Sequence, residues 1–299
     1  MVFLLMGDEH YAHTLYESIM RINNIYSDSK IILYDWGLSK STIDRFNNFN
    51  NIRIINWQDN ISKSIKNKKI TRHDINIYLY FDRIKSKYIK FIFRILLKIH
   101  NFKFIYNHIL NLANNFERMV HEKIACTQDC SNIVGDEPII FLDADAILIS
   151  NVDEVIKQDI DVAVTLRRQK EIDFGVPCQV LNSGVLFFGK NKFKRNIFIK
   201  AWQDEAYLID EPYIDQTSLT RLIEKLNPKL YDNYNYKDIV KIDNEELNIL
   251  MLSCDKYNYN WIEEVIKDKE KIKDIKILHF KGSRHTKDTF KNLLSKLNI

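Results

Sequence analysis

The chain has 299 residues, 45% hydrophobic and 28% charged, which excludes a disordered or fibrous polypeptide and allows one large domain or two smaller ones sharing a core. Its net charge of +4 is unevenly placed: residues 61–124 hold fourteen Lys or Arg against four Asp or Glu, a net of +10, and the other thirty basic and thirty-six acidic residues leave −6 elsewhere. One segment is therefore expected to face anions, and with only seven glycines and four prolines in the chain, the few glycines are informative.

VFLLM (2–6) reads as a buried strand ending at Gly7-Asp8, and Tyr11, Leu15, Ile19 and Ile22 then recur at helical spacing. KIILYD (30–35) repeats this order, with Trp36-Gly37 as a turn and Ser39 or Ser41 as the N-cap of a helix through Arg45-Phe46; NIRIINW (51–57) is a third strand. Strands alternating with helices predict βαβ units in a mostly parallel sheet, with ligands at the carboxyl ends of the strands. The opening MVFLLMGDEH has neither a basic segment nor a sustained apolar run, no stretch is apolar enough to span a membrane, and four cysteines are few for a disulfide scaffold. A cytoplasmic chain with reduced thiols is expected. Cys126 and Cys130 lack two further soft ligands nearby, so they read as helix thiols rather than a zinc site.

Residues 78–112 are helical in pattern, aromatic and basic, and break the strand-helix rhythm. They read as part of an insertion at about 61–115. A helical hairpin with solvated lysines and an amphipathic surface for anionic lipid or an acceptor have the same pattern, and both readings stand. Beyond it come a helix at 116–127, a strand at 139–142, strands at 161–165 and 180–190 with Asn182-Ser183-Gly184 breaking the latter, and helices at 191–207 and 214–226. The strand KILHF (276–280) and a helix from Thr286 to Leu297 close the order.

Ile139 to Leu142 stops abruptly at Asp143-Ala144-Asp145. Carboxylates at i and i+2 on a continuing strand point to opposite faces, so both reach one ion only if the strand ends there in a turn. Hard oxygen ligands at a sheet edge suit Mg²⁺ or Mn²⁺, ions usually shared with substrate phosphates. Solvated loop aspartates are the plain alternative, but running an apolar strand up to two unpaired charges is costly. His279 ends another apolar strand and is followed by Lys281, Gly282, Arg284 and His285. Two carboxylates and an imidazole suit Mn²⁺, and a glycine turn beside cations suits a diphosphate.

LDAD (142–145), NSG (182–184), DQ (215–216) and HFKG (279–282), in this order, resemble the retaining family 8 glycosyltransferases, whose relatives include glycogenin and bacterial lipopolysaccharide galactosyl- and glucosyltransferases. The resemblance covers residues 1–57 and about 116 to the end. It implies a single GT-A domain over residues 1–299, an α/β Rossmann-like fold with a mixed, mostly parallel sheet and helices on both faces, plus the helical insertion. It implies Mn²⁺ (or Mg²⁺) on Asp143, Asp145 and His279, and a UDP-sugar donor bound by Asp8, Tyr11, Lys123, the D-x-D turn with Ala144, Asn182, Ser183, Gly282 and Arg284. Asp215 and Gln216 are then the catalytic pair. Tyr11 also reads as core packing of the first helix, and Asp215 by spacing alone as a helix N-cap.

The family's late motif carries a lysine where this chain has His285, so the phosphate cation has to come from Arg284, Lys281 or Lys287; the strand after the D-x-D reads DVAVTLRRQ, with Thr165 and Arg167 where an aspartate is usual. The implied reaction is hexose transfer from UDP-glucose or UDP-galactose to a saccharide, lipid-linked or protein-linked acceptor, with peripheral membrane contact through residues 78–112 as an accompanying expectation. The alternatives are a haloacid-dehalogenase-like phosphatase, whose D-x-D normally lies on the first strand, and a non-catalytic relative that binds a partner. A nucleotidyltransferase would want a basic, Gly-rich first turn, where Gly7-Asp8-Glu9 is acidic. No nucleic-acid partner is expected, since the chain outside the insertion is net negative and carries no such motif.

Overall fold

The structure, a computed structural model, describes residues 1–61, 103–168, 177–209, 211 and 213–299. Residues 62–102 lie outside the described residues, and with them most of the basic insertion and its expected lipid-facing stretch.

Ten strands form two sheets: β1 (Val2–Gly7), β2 (Lys30–Asp35), β3 (Ile52–Asn56), β4 (Ile139–Leu142), β5 (Ala146–Leu148), β6 (Val162–Leu166), β7 (Leu181–Phe188), β8 (Lys237–Ile242), β9 (Glu245–Ser253) and β10 (Ile277–His279). Eight make one sheet in the order β3-β2-β1-β4-β7-β6-β9-β8, and β10 pairs with β5 in a separate antiparallel ribbon. Strands β3, β2, β1 and β4 run parallel, β7 runs against both neighbours, β6 and β9 are parallel, and β8 closes the edge antiparallel. The mixed, mostly parallel sheet expected from the strand-helix rhythm is therefore present. The strand expected at 276–280 forms, but in the small ribbon, because it pairs with the chain that leaves the D-x-D turn.

Alternation explains how the sheet is covered. Val2, Leu4 and Met6 enter one core with Ile124, Cys126, Cys130, Phe198 and Trp202, whereas Phe3 and Leu5 enter another with Leu15, Ile19 and Ile22. The first face is covered by α3 (Lys103–Val134), α4 (Lys192–Leu208) and α5 (Ile214–Leu226), the second by α1 (Ala12–Ile25). Strands buried on both faces need unbroken apolar runs, as Val2–Met6 and Ile139–Leu142 have. The Ser39 hydroxyl accepts from Thr42 N and caps α2 (Lys40–Phe46), as expected. The helix expected at 116–127 is longer: α3 begins at Lys103, so the end of the insertion and Lys123 share one helix. A third core packs α6 (Lys287–Leu297) against the ribbon through Ile147, Leu278, Phe280, Phe290 and Leu293.

The β8-β9 hairpin was not expected. Its two-residue loop, Asp243-Asn244, has φ of 50° and 69°, the left-handed pair of a type I′ turn that Asp and Asn tolerate. That dipeptide between two apolar stretches was the available signal. Cys126 and Cys130 are buried free thiols, whose acidity burial suppresses, as helix thiols in a core should be.

The end of α3 is held by one buried cation. Arg195 on α4 is fully buried and donates to Ser131 Oγ (2.7 Å) and to the carbonyls of Glu137 (2.9 Å), Gly189 (2.8 Å), Ser131 (3.3 Å) and Gly135. Four carbonyls, two of them at the negative end of a long helix, take the place of a carboxylate partner. Arg195→Ala leaves them buried and unsatisfied and is expected to lower the unfolding free energy by about 3 kcal/mol or more, seen as a fall in urea midpoint at unchanged slope.

Candidate active site

Strand β4 ends at Leu142 and the backbone turns at once, with Ala146 N donating to Asp143 O at 2.9 Å. The turn brings both carboxylates of the D-x-D to one side. The register of the ribbon sets His279 opposite Ala146, so the imidazole stands beside Asp145. Nε2 of His279 lies 3.0 Å from Asp145 Oδ1 and 3.7 Å from Asp143 Oδ2. One ligand atom from each of Asp143, Asp145 and His279 lies within 4.8 Å of the others, and among the described residues no other His, Cys, Asp or Glu group meets that condition.

The donor set, two hard oxygens and one imidazole nitrogen, fits Mn²⁺ or Mg²⁺ with positions left for substrate oxygens. Two further features prepare it. The amide oxygen of Asn258 can only accept, so its 2.7 Å contact with His279 Nδ1 places a proton there and directs Nε2 toward the carboxylates. Gly184 packs against the cluster: a Cβ there would stand 2.3 Å from His279 Cε1 and 2.8 Å from Asp143 Oδ2. Burial pushes the Asp145 carboxyl upward, but His279, His285 and Lys281 outweigh it and hold the group below its ordinary value.

Behind the cluster lies a buried ionic network. Lys123 Nζ is 2.9 Å from Asp143 Oδ1 and 2.6 Å from Asp215 Oδ2, and Ser183 Oγ donates to the same Asp215 oxygen at 2.6 Å. Burial opposes the charge on Lys123, yet the two carboxylates hold its ammonium charged well beyond the ordinary lysine range. Gln216 spans two backbones, accepting from Ser183 N at 3.3 Å and donating to Cys178 O. Asn182 Oδ1 accepts from Gly184 N at 3.1 Å, and its carbonyl accepts from Thr165 Oγ1 at 2.7 Å. The strand is continuous through Asn182-Ser183-Gly184, but its register against β6 jumps there, Val164 facing Leu186 and Thr165 facing Asn182. That irregularity turns the Asn-Ser-Gly segment toward the carboxylates.

Asp215 is not the N-cap of α5. Tyr213 is, at φ 54°, and the Glu117 carboxylate on α3 accepts from Tyr213 N and Ile214 N, each at 3.0 Å. Freed from capping, Asp215 turns inward.

The remaining expected donor residues lie at the same edge with different engagements. Gly7 lets the first turn approach the D-x-D turn, its added Cβ meeting Leu15 Cδ1 at 3.1 Å and Ala144 Cβ at 3.3 Å. Asp8 accepts from His10 N at 3.0 Å within its own turn. Tyr11 is half-buried, packs on the core beneath it, and has its ring 4.9 Å from that of His285, which in turn reaches to 3.8 Å from Asp145 Oδ2. Gly282 supplies a φ of 66° to the chain leaving His279. Arg284 is paired bidentately with Glu263 at 2.8 and 2.7 Å, whereas Lys281, two residues beyond His279, is pulled down to about 8 by burial first and by Arg167 second. Sequence reasoning missed Asn258 and Glu117, which belong to no motif and are defined only by what the fold sets beside them.

No family model matches the chain, and no curated protein matches it either. Solved structures do. The galactosyltransferase LgtC, in complex with donor and acceptor sugar analogs, superposes with a TM-score of 0.53 at 13% identity, over 100% of this chain and 95% of that one. The bifunctional glycosyltransferase WbbM superposes with a TM-score of 0.54 at 11% identity, over 99% of this chain and 49% of that one. The chain has the GT-A glycosyltransferase fold. An active-site mutant of LgtC superposes equally well, at 0.52 and 13% identity, over 99% of this chain and 95% of that one.

Two substitutions check the geometry. Gly184→Ala is expected to weaken Mn²⁺ binding by roughly tenfold or more, and Asn258→Leu by about 10- to 100-fold, both read by calorimetric titration on folded protein. Lys123→Met leaves the buried Asp215 carboxylate with only the Ser183 hydroxyl to answer its charge and is expected to cost about 3–5 kcal/mol in chemical denaturation.

Proposed function

We propose that this protein is a metal-dependent glycosyltransferase that moves a hexose from a UDP-sugar to a saccharide, lipid-linked or protein-linked acceptor, with retention of anomeric configuration. The observation that carries the reading is the convergence of Asp143, Asp145 and His279 at one sheet edge of a glycosyltransferase fold, backed by the Lys123-Asp215 pair. Asp143, Asp145 and His279 would hold Mn²⁺. When bound, the ion supplies Lewis-acid stabilisation of the departing diphosphate and replaces a protonating acid.

The chain's own side chains supply the rest. Tyr11 offers a ring face and Asp8 a carboxylate to the uracil at the end of β1. Asn182 and Ser183, held by the bulge, and Gln216, held at both ends by backbone, are positioned to orient sugar hydroxyls. Asp215 would face the side where an oxocarbenium-like sugar develops positive charge, and Lys123, 2.6 Å away, holds that carboxylate in place. Among the described residues no helix is long and apolar enough to cross a membrane. The acceptor contact assigned to residues 78–112 rests on their sequence alone.

UDP release from a panel of UDP-sugars, with Mn²⁺ present or chelated, tests the reading. Slow Mn²⁺-dependent hydrolysis of one UDP-sugar is expected, falling at least about a hundredfold in Asp145→Ala. No UDP release, together with no UDP-induced rise in melting temperature in Mn²⁺, would falsify it.

A further inference from the structure

Most cations around the site are matched. Lys123 has two carboxylates, Arg168 has Asp255 at 2.5 Å and Glu264 at 2.9 Å, and Arg284 has Glu263. Arg167 and Lys281 differ. Both are half-buried, and among the described residues neither side chain makes an ion pair or hydrogen bond. Nε of Arg167 is closed off from water with no acceptor.

The two are neighbours by construction. Asn258 donates to Thr165 Oγ1 at 2.9 Å and accepts from His279 Nδ1, tying the end of β6 to the end of β10. Arg167 lies two residues beyond Thr165, and Lys281 two beyond His279. The carboxylates of the cluster have partners of their own, Asp143 in Lys123 and Asp145 in His279. Two like charges at neighbouring strand ends, half-buried and with no ion pair to a carboxylate among the described residues, are stabilised by an anion from outside.

The position selects the kind of anion. Arg167 N donates to Val180 O at 3.1 Å, beside the Cys178 carbonyl that receives Gln216. It therefore lies on the Asn182 and Gln216 side of the carboxylate cluster, across from Asp8 and Tyr11 on the β1 side. We propose that Arg167 and Lys281 form a subsite for a carboxylate or phosphate group borne on a sugar substrate. The planar guanidinium fork matches either oxyanion, with the ammonium as a second point charge. The site is an inference from these two side chains; its assignment to a sugar rests on the transferase reading.

The test is calorimetric titration of the wild type, Arg167→Gln and Arg167→Lys. One series uses free glucuronate, glucose 6-phosphate and glucose, each with and without UDP and Mn²⁺. The other sets UDP-glucuronate against UDP-glucose in Mn²⁺. The acidic sugar is expected to bind roughly tenfold or more tightly than its neutral counterpart in one of the series. Arg167→Gln should abolish that preference, Arg167→Lys should retain part of it, and affinity for UDP should be the same in all three proteins. A preference confined to the UDP-linked pair assigns the anion to the donor, and one seen with free sugars assigns it to the acceptor.

Equal affinity for acidic and neutral sugars in both series of the wild type overturns the subsite, while UDP binding, measured alongside, leaves the transferase reading standing. If UDP does not bind, that reading fails by itself and the free-sugar series still decides the subsite. Removing one of two like charges should leave the melting temperature of Arg167→Gln unchanged or raised. A fall would mark Arg167 as a structural prop and overturn the proposal.

Discussion

One buried ammonium organises the centre of this molecule. Lys123 comes from α3, Asp143 from the turn after β4, and Asp215 from α5, so its two ion pairs join three elements whose own partners lie elsewhere. Burying a single charge among apolar strands is prohibitive, and burying one cation between two carboxylates with a hydroxyl on one of them is tolerable only at close range. The distances, 2.6 to 2.9 Å, meet that demand. Helix α3 therefore has no freedom to slide along the sheet. Glu117, on the same helix, fixes the start of α5 as well, so the helix that holds Asp215 is positioned at its amides and at its carboxylate by one neighbour.

The constraint continues into the sheet. Strand β7 runs antiparallel between β4 and β6, so the amino end of β7 meets the carboxyl ends of its neighbours at one edge. That reversal sets Asn182 and Ser183 next to Asp143 and Asp145, with glycine at position 184 as the only residue that leaves room for the imidazole. The site is thus a product of strand direction as much as of side-chain identity. The parallel half of the sheet brings the first turn with Tyr11, and the mixed half brings Asn182 and Ser183 to the carboxylates.

What the sequence disclosed and what it withheld divide along a physical line. Strands buried on both faces, such as Val2–Met6 and Ile139–Leu142, announce themselves because nothing polar is tolerated in them. The D-x-D turn was legible because two carboxylates after such a run demand a reason, and the Ser39 cap because its chemistry is local. Long-range pairing was not. Nothing near residue 279 tells that its strand leaves the main sheet, since the partner β5 lies more than a hundred positions earlier. Asn258 has no periodicity to betray it, and its role exists only because β6 and β10 end beside it. The partner of Arg284 was equally hidden: its pairing with Glu263, twenty-one positions earlier, is a product of the fold.

The distance along the chain between the cluster's members also bears on how the protein comes into being. Asp145 and His279 are separated by 134 positions, and the ribbon that joins them is only three residue pairs long. During synthesis the first eight-tenths of the chain can lay down the parallel half of the sheet and its helices while Asp143 and Asp145 have no imidazole beside them. Closing so large a loop is entropically slow to be rewarded, and a three-rung ribbon offers little by itself. The docking of the last strand and of α6 against Ile147 is then the step that completes the cluster. A divalent ion that prefers the complete set of three ligands would act as a late latch on folding, favouring the docked C-terminal segment and not merely serving the finished protein.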